Sequence, residues 1–248
     1  MTVVTEDRVL DGQIRLRQPE RGYRAGLDAA LLAAACDAPA GARVLEAGCG
    51  VGGALLAAAW RSARATFTGL ERDAAAAALA RENVALNGLT ERVTILEGDV
   101  AQRFSHLQLE PFDAVIANPP FFDDPSTLRG PAAERRAAWL ADDGLAAWAG
   151  FLLKAVREGG AITVIHRADR LADLLALLGE KAGSFQIRPI HPFADAPAKR
   201  VLIRAVKTGK APLQLLPALV LHDREGGDKH TAEAEAILRG GAGLGWPA

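Results

Sequence analysis

The stretch that most limits what this chain can fold into runs from Arg43 to Glu71. Val44-Leu45-Glu46-Ala47 reads as a buried strand, Gly48-Cys49-Gly50-Val51-Gly52-Gly53 as a glycine turn, and the alanine-rich run behind it as a helix. Glycines let a backbone approach a ligand closely, and a helix N-terminus offers unpaired amides at the positive end of its dipole. The next apolar run, Thr66-Phe67-Thr68-Gly69-Leu70, ends in Glu71. That is about 20 residues beyond the glycines, where an acidic side chain can accept from ribose hydroxyls. Strand, glycine turn, helix, strand and acid in this order point to a nucleotide-binding α/β sheet.

The alternation continues downstream. Asp73 is placed to cap a long alanine-rich helix that stops at Asn87-Gly88. A third strand, Val93 to Leu96, leads to Gly98-Asp99, and a fourth, Phe112 to Ile116, leads to Asn118. Such β-α repetition gives a mostly parallel, twisted, Rossmann-like sheet of seven strands with helices on both faces. Its ligands sit at the carboxyl ends of the strands, which puts Gly48, Glu71, Asp99 and Asn118 along one edge. Past a polar loop from Asp123 to Pro131, a helix carrying Trp139 and Trp148 precedes a strand over Ala161 to Ile165. A helix over Leu171 to Leu178 and strands over Phe185 to Pro192 and Val201 to Val206 follow. A short strand over Ala218 to Leu221 and a helix over Ala232 to Leu238 precede a glycine-rich end expected to fray. Upstream, alternating apolar residues around Asp11-Gly12 predict a hairpin with a two-residue turn, and Asp28 is a candidate cap for a helix reaching Cys36. Residues 1–40 then form a hairpin and flanking helix packed on an α/β domain of residues 41–248, one structural domain overall.

Composition narrows the function classes. The 248 residues include only two cysteines, Cys36 and Cys49, far apart and in no metal-ligand spacing, which fits a reducing, cytoplasmic setting without a disulfide frame or metal site. The opening residues do not read as a secretory leader, and no apolar run approaches the roughly 18 residues needed to span a bilayer. With a formal net charge of -1, any attraction for nucleic acid must be local. Candidate basic clusters are Arg15, Arg17, Arg21 and Arg24, and Arg188, Lys199, Arg200, Arg204, Lys207 and Lys210.

The chemistry is carried by Asn118-Pro119-Pro120-Phe121-Phe122. The prolines donate no backbone hydrogen bonds and hold the preceding residues extended, so the strand must end at Asn118. The loop then presents a carboxamide oxygen, carbonyls of fixed direction and an aromatic face. Two acceptors beside a ring suit a planar heterocycle bearing an amino group.

The glycine turn alone also fits the dinucleotide fingerprint of dehydrogenases. Joined to Asn-Pro-Pro-Phe it resembles the class I S-adenosylmethionine-dependent methyltransferases that modify exocyclic amino groups, which carry [Asn/Asp/Ser]-Pro-Pro-[Phe/Tyr/Trp] at this place. The closer resemblance is to the bacterial tRNA (adenine-N6)-methyltransferases acting beside the anticodon of a valine tRNA. Their opening Gly-Tyr-Arg-Ala-Gly-[Leu/Ile]-Asp-Ala pattern matches Gly22 onward, and the resemblance runs from about Thr5 to Leu238, departing at Lys229-His230-Thr231 where relatives often show an aromatic residue.

The resemblance implies S-adenosyl-L-methionine as cofactor, bound by Glu46, Ala47, Gly48, Gly50, Gly52, Glu71, Arg72, Asp99, Val100 and Asn118. It implies catalysis by Asn118, Pro119, Pro120 and Phe121, and substrate contacts from Tyr23, Arg24, Phe121, Phe122, Lys199 and Arg200, with tRNA as partner. A protein glutamine N5-methyltransferase, another small-molecule methyltransferase and an NAD-dependent oxidoreductase remain alternatives.

Overall fold

The computed structural model describes residues 3–20, 24–121, 143–224 and 229–247. The expected polar loop after Phe122, and the positions of Tyr23, Phe122 and Trp139, lie outside the described residues.

The chain opens with an antiparallel ribbon, β1 (Val4–Val9) and β2 (Ile14–Pro19). The expected two-residue turn at Asp11-Gly12 is instead a longer one, because Val9 pairs with Ile14 and both Leu10 and Asp11 adopt left-handed backbone. Helix α1 (Leu27–Ala34) follows. Asp28 does not cap it: Gly26 is the N-cap residue, and no side chain completes the cap.

The main sheet is built from β3 (Arg43–Ala47), β4 (Thr66–Glu71), β5 (Val93–Glu97), β6 (Phe112–Ala117), β7 (Val156–Arg167), β8 (Ala182–His191) and β9 (Arg200–Lys207). Their spatial order is β8-β9-β7-β6-β3-β4-β5, with β9 the antiparallel member between β7 and β8. These are the seven expected strands. Two more, β10 (Gln214–Leu215) and β11 (Leu219–Val220), pair in parallel with β8 and bring the sheet to nine. The second is the short strand expected over Ala218 to Leu221, and the first, at two residues, is too short to leave an alternating pattern in the sequence.

Central β3 is buried from Val44 to Ala47, the continuous run expected of a parallel strand covered on both faces. One face is covered by α1, α2 (Gly53–Arg61), α3 (Ala74–Leu86), the C-terminal α6 (Ala232–Leu238) and the ribbon, with Ile14, Leu16, Leu32 and Leu56 in a shared core. The other is covered by α4 (Asp143–Ala155), α5 (Leu171–Gly179) and Phe104, packing on Leu45, Val115 and Ile162.

The ribbon is fixed to the sheet by two asparagines one helical turn apart, Asn83 of α3 and its C-cap residue Asn87. Asn83 Oδ1 accepts from the Arg17 amide at 2.8 Å, and its Nδ2 donates to the Arg17 carbonyl at 2.8 Å. Asn87 repeats the pair on Arg15 at 2.9 and 2.7 Å. Side-chain amides thus satisfy the free edge of β2 as another strand would. Asn83 also donates to the Val51 carbonyl at 2.9 Å, so one buried side chain ties the ribbon to the glycine turn.

The glycine-rich end, expected to fray, is docked. Leu244 is buried and its amide donates to the Ala34 carbonyl at 2.8 Å, the Trp246 indole donates to the Ala35 carbonyl at 2.8 Å, and Arg61 donates to the Ala242 carbonyl at 2.7 Å. Composition signals flexibility, but a leucine and a tryptophan that can be buried outweigh it.

Candidate active site

The carboxyl ends of the parallel strands converge on a cavity of about 370 Å³, within the size range of small-molecule sites. Gly48, Gly50, Glu71, Arg72, Asp99, Val100, Asn118, Pro119, Pro120 and Phe121 all line it.

The glycine turn forms one wall. Gly48 has a φ of +67°, and a Cβ placed there would lie 2.4 Å from the Trp148 ring, so both the backbone and the neighbouring indole demand glycine. Gly50, at a φ of +55°, would meet nothing within 4 Å, which leaves its backbone open to the cavity.

Glu71 closes the turn from the end of β4. Its Oε2 accepts from the Gly50 amide and its Oε1 from the Asp73 amide, each at 2.8 Å. The carboxylate therefore staples the glycine turn to the start of α3 and keeps unused lone pairs for hydroxyl donors. Asp99, in the loop after β5, uses Oδ1 to accept from the Ala101 amide at 2.9 Å, which leaves its Oδ2 for a further donor.

Asn118 directly follows β6, where Pro119 is buried and Pro120 exposed. The Phe121 ring lies edge-to-face with His166 of β7 at 5.3 Å between centroids, and the Arg200 guanidinium sits over it at 4.7 Å. Arg200 is in turn held by Asp28, with Nε 3.0 Å from Oδ2. Asp28 lines the cavity, so the residue expected to cap a helix instead orients a cation over the aromatic wall. Burial, then the Arg170 charge, pulls His166 down to about 4, an effect the Pro120 backbone only partly offsets. At neutral pH this ring is an uncharged partner for Phe121.

Several expected residues stand elsewhere. Glu46, Ala47 and Gly52 do not line the cavity: Ala47 is fully buried in β3, and Gly52 is the left-handed N-cap residue of α2. Burial pushes the Glu46 carboxyl well above the usual carboxylate range, against the pull of the Leu55 amide at the start of α2, with the Glu71 charge adding to the rise. Arg24 is spent on the ribbon, donating to Thr5 Oγ1, the Pro19 carbonyl and Asp7. Lys199 is exposed and also lies off the cavity. Burial pushes the Cys49 thiol far up, with the Glu46 and Glu71 charges adding to it, so it is no nucleophile.

The sequence reading missed Trp148 and Asp28 as cavity residues, along with Pro19, Val51, Leu70, Ala76 and Gly98. For Trp148 the only signal was an aromatic residue on an apolar helix, which reads as core.

A cavity at the strand ends, bounded by an open glycine turn, an acid after the second parallel strand and Asn-Pro-Pro-Phe after the fourth, is where a class I methyltransferase holds its cofactor. Comparison with known proteins agrees. Residues 24–134 match the family described as the Methyltransferase small domain. A solved structure from Agrobacterium tumefaciens, described as a predicted O-methyltransferase, superposes with a TM-score of 0.72 at 26% identity, covering 88% of this chain and 98% of that one. The chain is a class I S-adenosylmethionine-dependent methyltransferase.

Among curated relatives it resembles the tRNA1(Val) (adenine(37)-N6)-methyltransferase of Trichodesmium erythraeum, 28% identical over 82% of this chain and 84% of the relative. A release factor glutamine methyltransferase from Chlorobaculum tepidum is 29% identical over 68% of this chain and 57% of the relative.

The lining fits the cofactor. Gly50 offers open backbone, Glu71 offers acceptor lone pairs at the right distance from the glycines, and the Trp148 ring adds an aromatic wall beside Gly48.

Proposed function

We propose that this enzyme methylates the exocyclic N6 of an adenosine in tRNA, in the cytoplasm, with residues 1–40 and 41–248 acting as one unit. The observation that carries the reading is that Asn118, Pro119, Pro120 and Phe121 line the same cavity as the glycine turn and Glu71.

In the proposed arrangement Glu71 accepts from the ribose hydroxyls, Asp99 from the adenine amino group, and the Gly48–Gly50 backbone lies along the methionine portion. The cofactor supplies an electrophilic methyl group on a sulfonium. An adenine amino nitrogen is a poor nucleophile because its lone pair is delocalised into the ring. Asn118 Oδ1 and the Pro119 carbonyl accept from its two hydrogens and localise that pair on nitrogen. As the carbon–nitrogen bond forms and the carbon–sulfur bond breaks, these two acceptors stabilise the growing positive charge, and the spare proton then leaves to water. Alignment of nitrogen, methyl and sulfur supplies most of the acceleration. Phe121, held by neutral His166 and Arg200, gives the base a face to stack on once it leaves its neighbours, at small cost in a single-stranded loop.

The likeness to release factor glutamine methyltransferases favours a second reading, since a carboxamide NH2 offers the same two hydrogens to Asn118 and Pro119. Transfer of labelled methyl to unmodified total tRNA, followed by nucleoside analysis, separates the two. N6-methyladenosine is the expected product. Labelled protein with unlabelled RNA would replace this reading with the glutamine one.

A further inference from the structure

We propose that Asp28 is a cofactor-site residue whose carboxylate cancels the Arg200 cation, so that the cavity accepts a cofactor carrying positive charge on sulfur. The inference rests on the cofactor and not on the identity of the methyl acceptor.

Asp28 lies in the first turn of α1, and its side chain, 20% exposed, lines the cavity. Its Oδ2 accepts from Arg200 Nε at 3.0 Å, while no described group donates to its Oδ1. Arg200 opens β9, and its Nη1 also donates to the Lys199 carbonyl at 3.2 Å. The guanidinium carbon lies 4.7 Å from the centre of the Phe121 ring, which His166 meets edge-on. Phe121 lines the cavity and Arg200 does not, so the cation stands behind the ring. Only the thickness of that ring separates it from the cavity, well inside the roughly 8 Å over which physiological salt screens a charge.

The charge of the cofactor makes this pairing matter. S-adenosylmethionine carries an ammonium, a carboxylate and a sulfonium, a net single positive charge, and during transfer the sulfonium charge passes to the acceptor nitrogen. The lining offers three carboxylates, Asp28, Glu71 and Asp99, and one cation, Arg72. Arg72 directly follows Glu71, at the ribose side of the proposed arrangement. Arg200 adds a second cation on the side of Asn118 and Phe121, where sulfur, methyl and acceptor meet in that arrangement. Left uncancelled, it opposes both the sulfonium and the charge that grows on nitrogen. Backing an aromatic ring needs only the flat guanidinium; a carboxylate bonded to it from the cavity wall also removes most of its field. Asp28 therefore lets an arginine brace the aromatic wall of a site built for a cation.

Two ligands separate this role from a packing role. S-adenosylmethionine and S-adenosylhomocysteine differ by one methyl group and the sulfonium charge. Titration calorimetry with each is performed on the wild-type enzyme, on Asp28→Asn, on Arg200→Gln and on the double variant. Asparagine can still accept from Arg200 Nε, so Asp28→Asn keeps the bond and removes the charge. In this variant we expect S-adenosylmethionine to weaken about three- to tenfold relative to S-adenosylhomocysteine, as for one unit charge acting across a ring at high effective dielectric. Arg200→Gln should move the ratio of the two affinities the other way, and the double variant should return it close to the wild-type value. A ratio unmoved by Asp28→Asn would overturn the proposal, and an equal loss for both ligands would mark Asp28 as a packing residue. So would a ratio that stays lowered in the double variant, which would mean that Asp28 acts without Arg200. A failure of the tRNA reading would leave these titrations unaffected.

Discussion

Replacing Glu71 by glutamine tests whether the acid at the end of β4 is both strut and ligand. Glu71 is 9% exposed and accepts two backbone amides at 2.8 Å, one from the glycine turn and one from the start of α3. A glutamine keeps one of these bonds with its oxygen and sets its NH2 against the other amide, donor facing donor. Losing one buried charge-assisted bond costs roughly 1.5–3 kcal/mol, and the opposed donors add to it, so urea unfolding should show about 2–3 kcal/mol lost. The same change removes an acceptor for one ribose hydroxyl and loosens the Gly50 backbone. Together these should weaken S-adenosylhomocysteine by about 30–100-fold in titration calorimetry, at 1.4 kcal/mol per tenfold. Methylthioadenosine, which carries the same ribose, should weaken in parallel. Reduced stability with affinity for both ligands kept within about threefold would refute the reasoning: Glu71 would then brace the turn and contact no ribose.

The two left-handed glycines of the turn should separate. Gly48→Ala brings a Cβ to 2.4 Å from Trp148 at a φ of +67°, so it should cost about 2–4 kcal/mol in urea unfolding. Gly50→Ala meets nothing within 4 Å, so it should cost about 1 kcal/mol from its backbone alone while weakening S-adenosylhomocysteine by blocking its approach. His166 sets part of the acid response. Its value in the fold is about 4 against 6.5 unperturbed, so between those pH values the unfolded chain binds a proton that the folded chain does not. Stability from this group is complete above pH 6.5 and falls as pH drops toward 4, by up to about 3 kcal/mol. The raised Glu46 acts in the opposite sense, losing stability as pH rises above 4.5, which is why the comparison needs a variant. Unfolding free energies of wild type and His166→Gln across pH 4–7 should converge toward the acid end. Parallel curves would show that His166 does not titrate differently on folding.

Much of the architecture was legible because it rests on local signals that tertiary packing reinforces. The strand at Val44, the glycine turn, the Asp73 cap and the helix over Ala232 to Leu238 each combine a periodic apolar pattern with a boundary residue, and all four are observed. The clustering of Gly48, Glu71, Asp99 and Asn118 follows from strand direction alone.

What escaped depends on contacts far apart in sequence. Asp28 looks like a cap from its neighbours, but its partner Arg200 stands 172 residues away. The docked tail owes its order to Ala34, Ala35 and Arg61, which no reading of glycine content reveals. Arg24 has the charge of a substrate-binding residue and spends it within the ribbon. Trp148 has the pattern of core, and its place in the cavity lining against Gly48 shows only in three dimensions.

The central claim is that Asn118 acts on the acceptor nitrogen at the carboxyl end of β6. The most direct test is the single-turnover rate of methyl transfer to unmodified tRNA, at saturating cofactor, for wild type and Asn118→Ala. The proposed role predicts a fall of about 10²–10³-fold, as for removal of one preorganised group that stabilises charge in the transition state. A variant transferring methyl groups within a few-fold of the wild-type rate would contradict it.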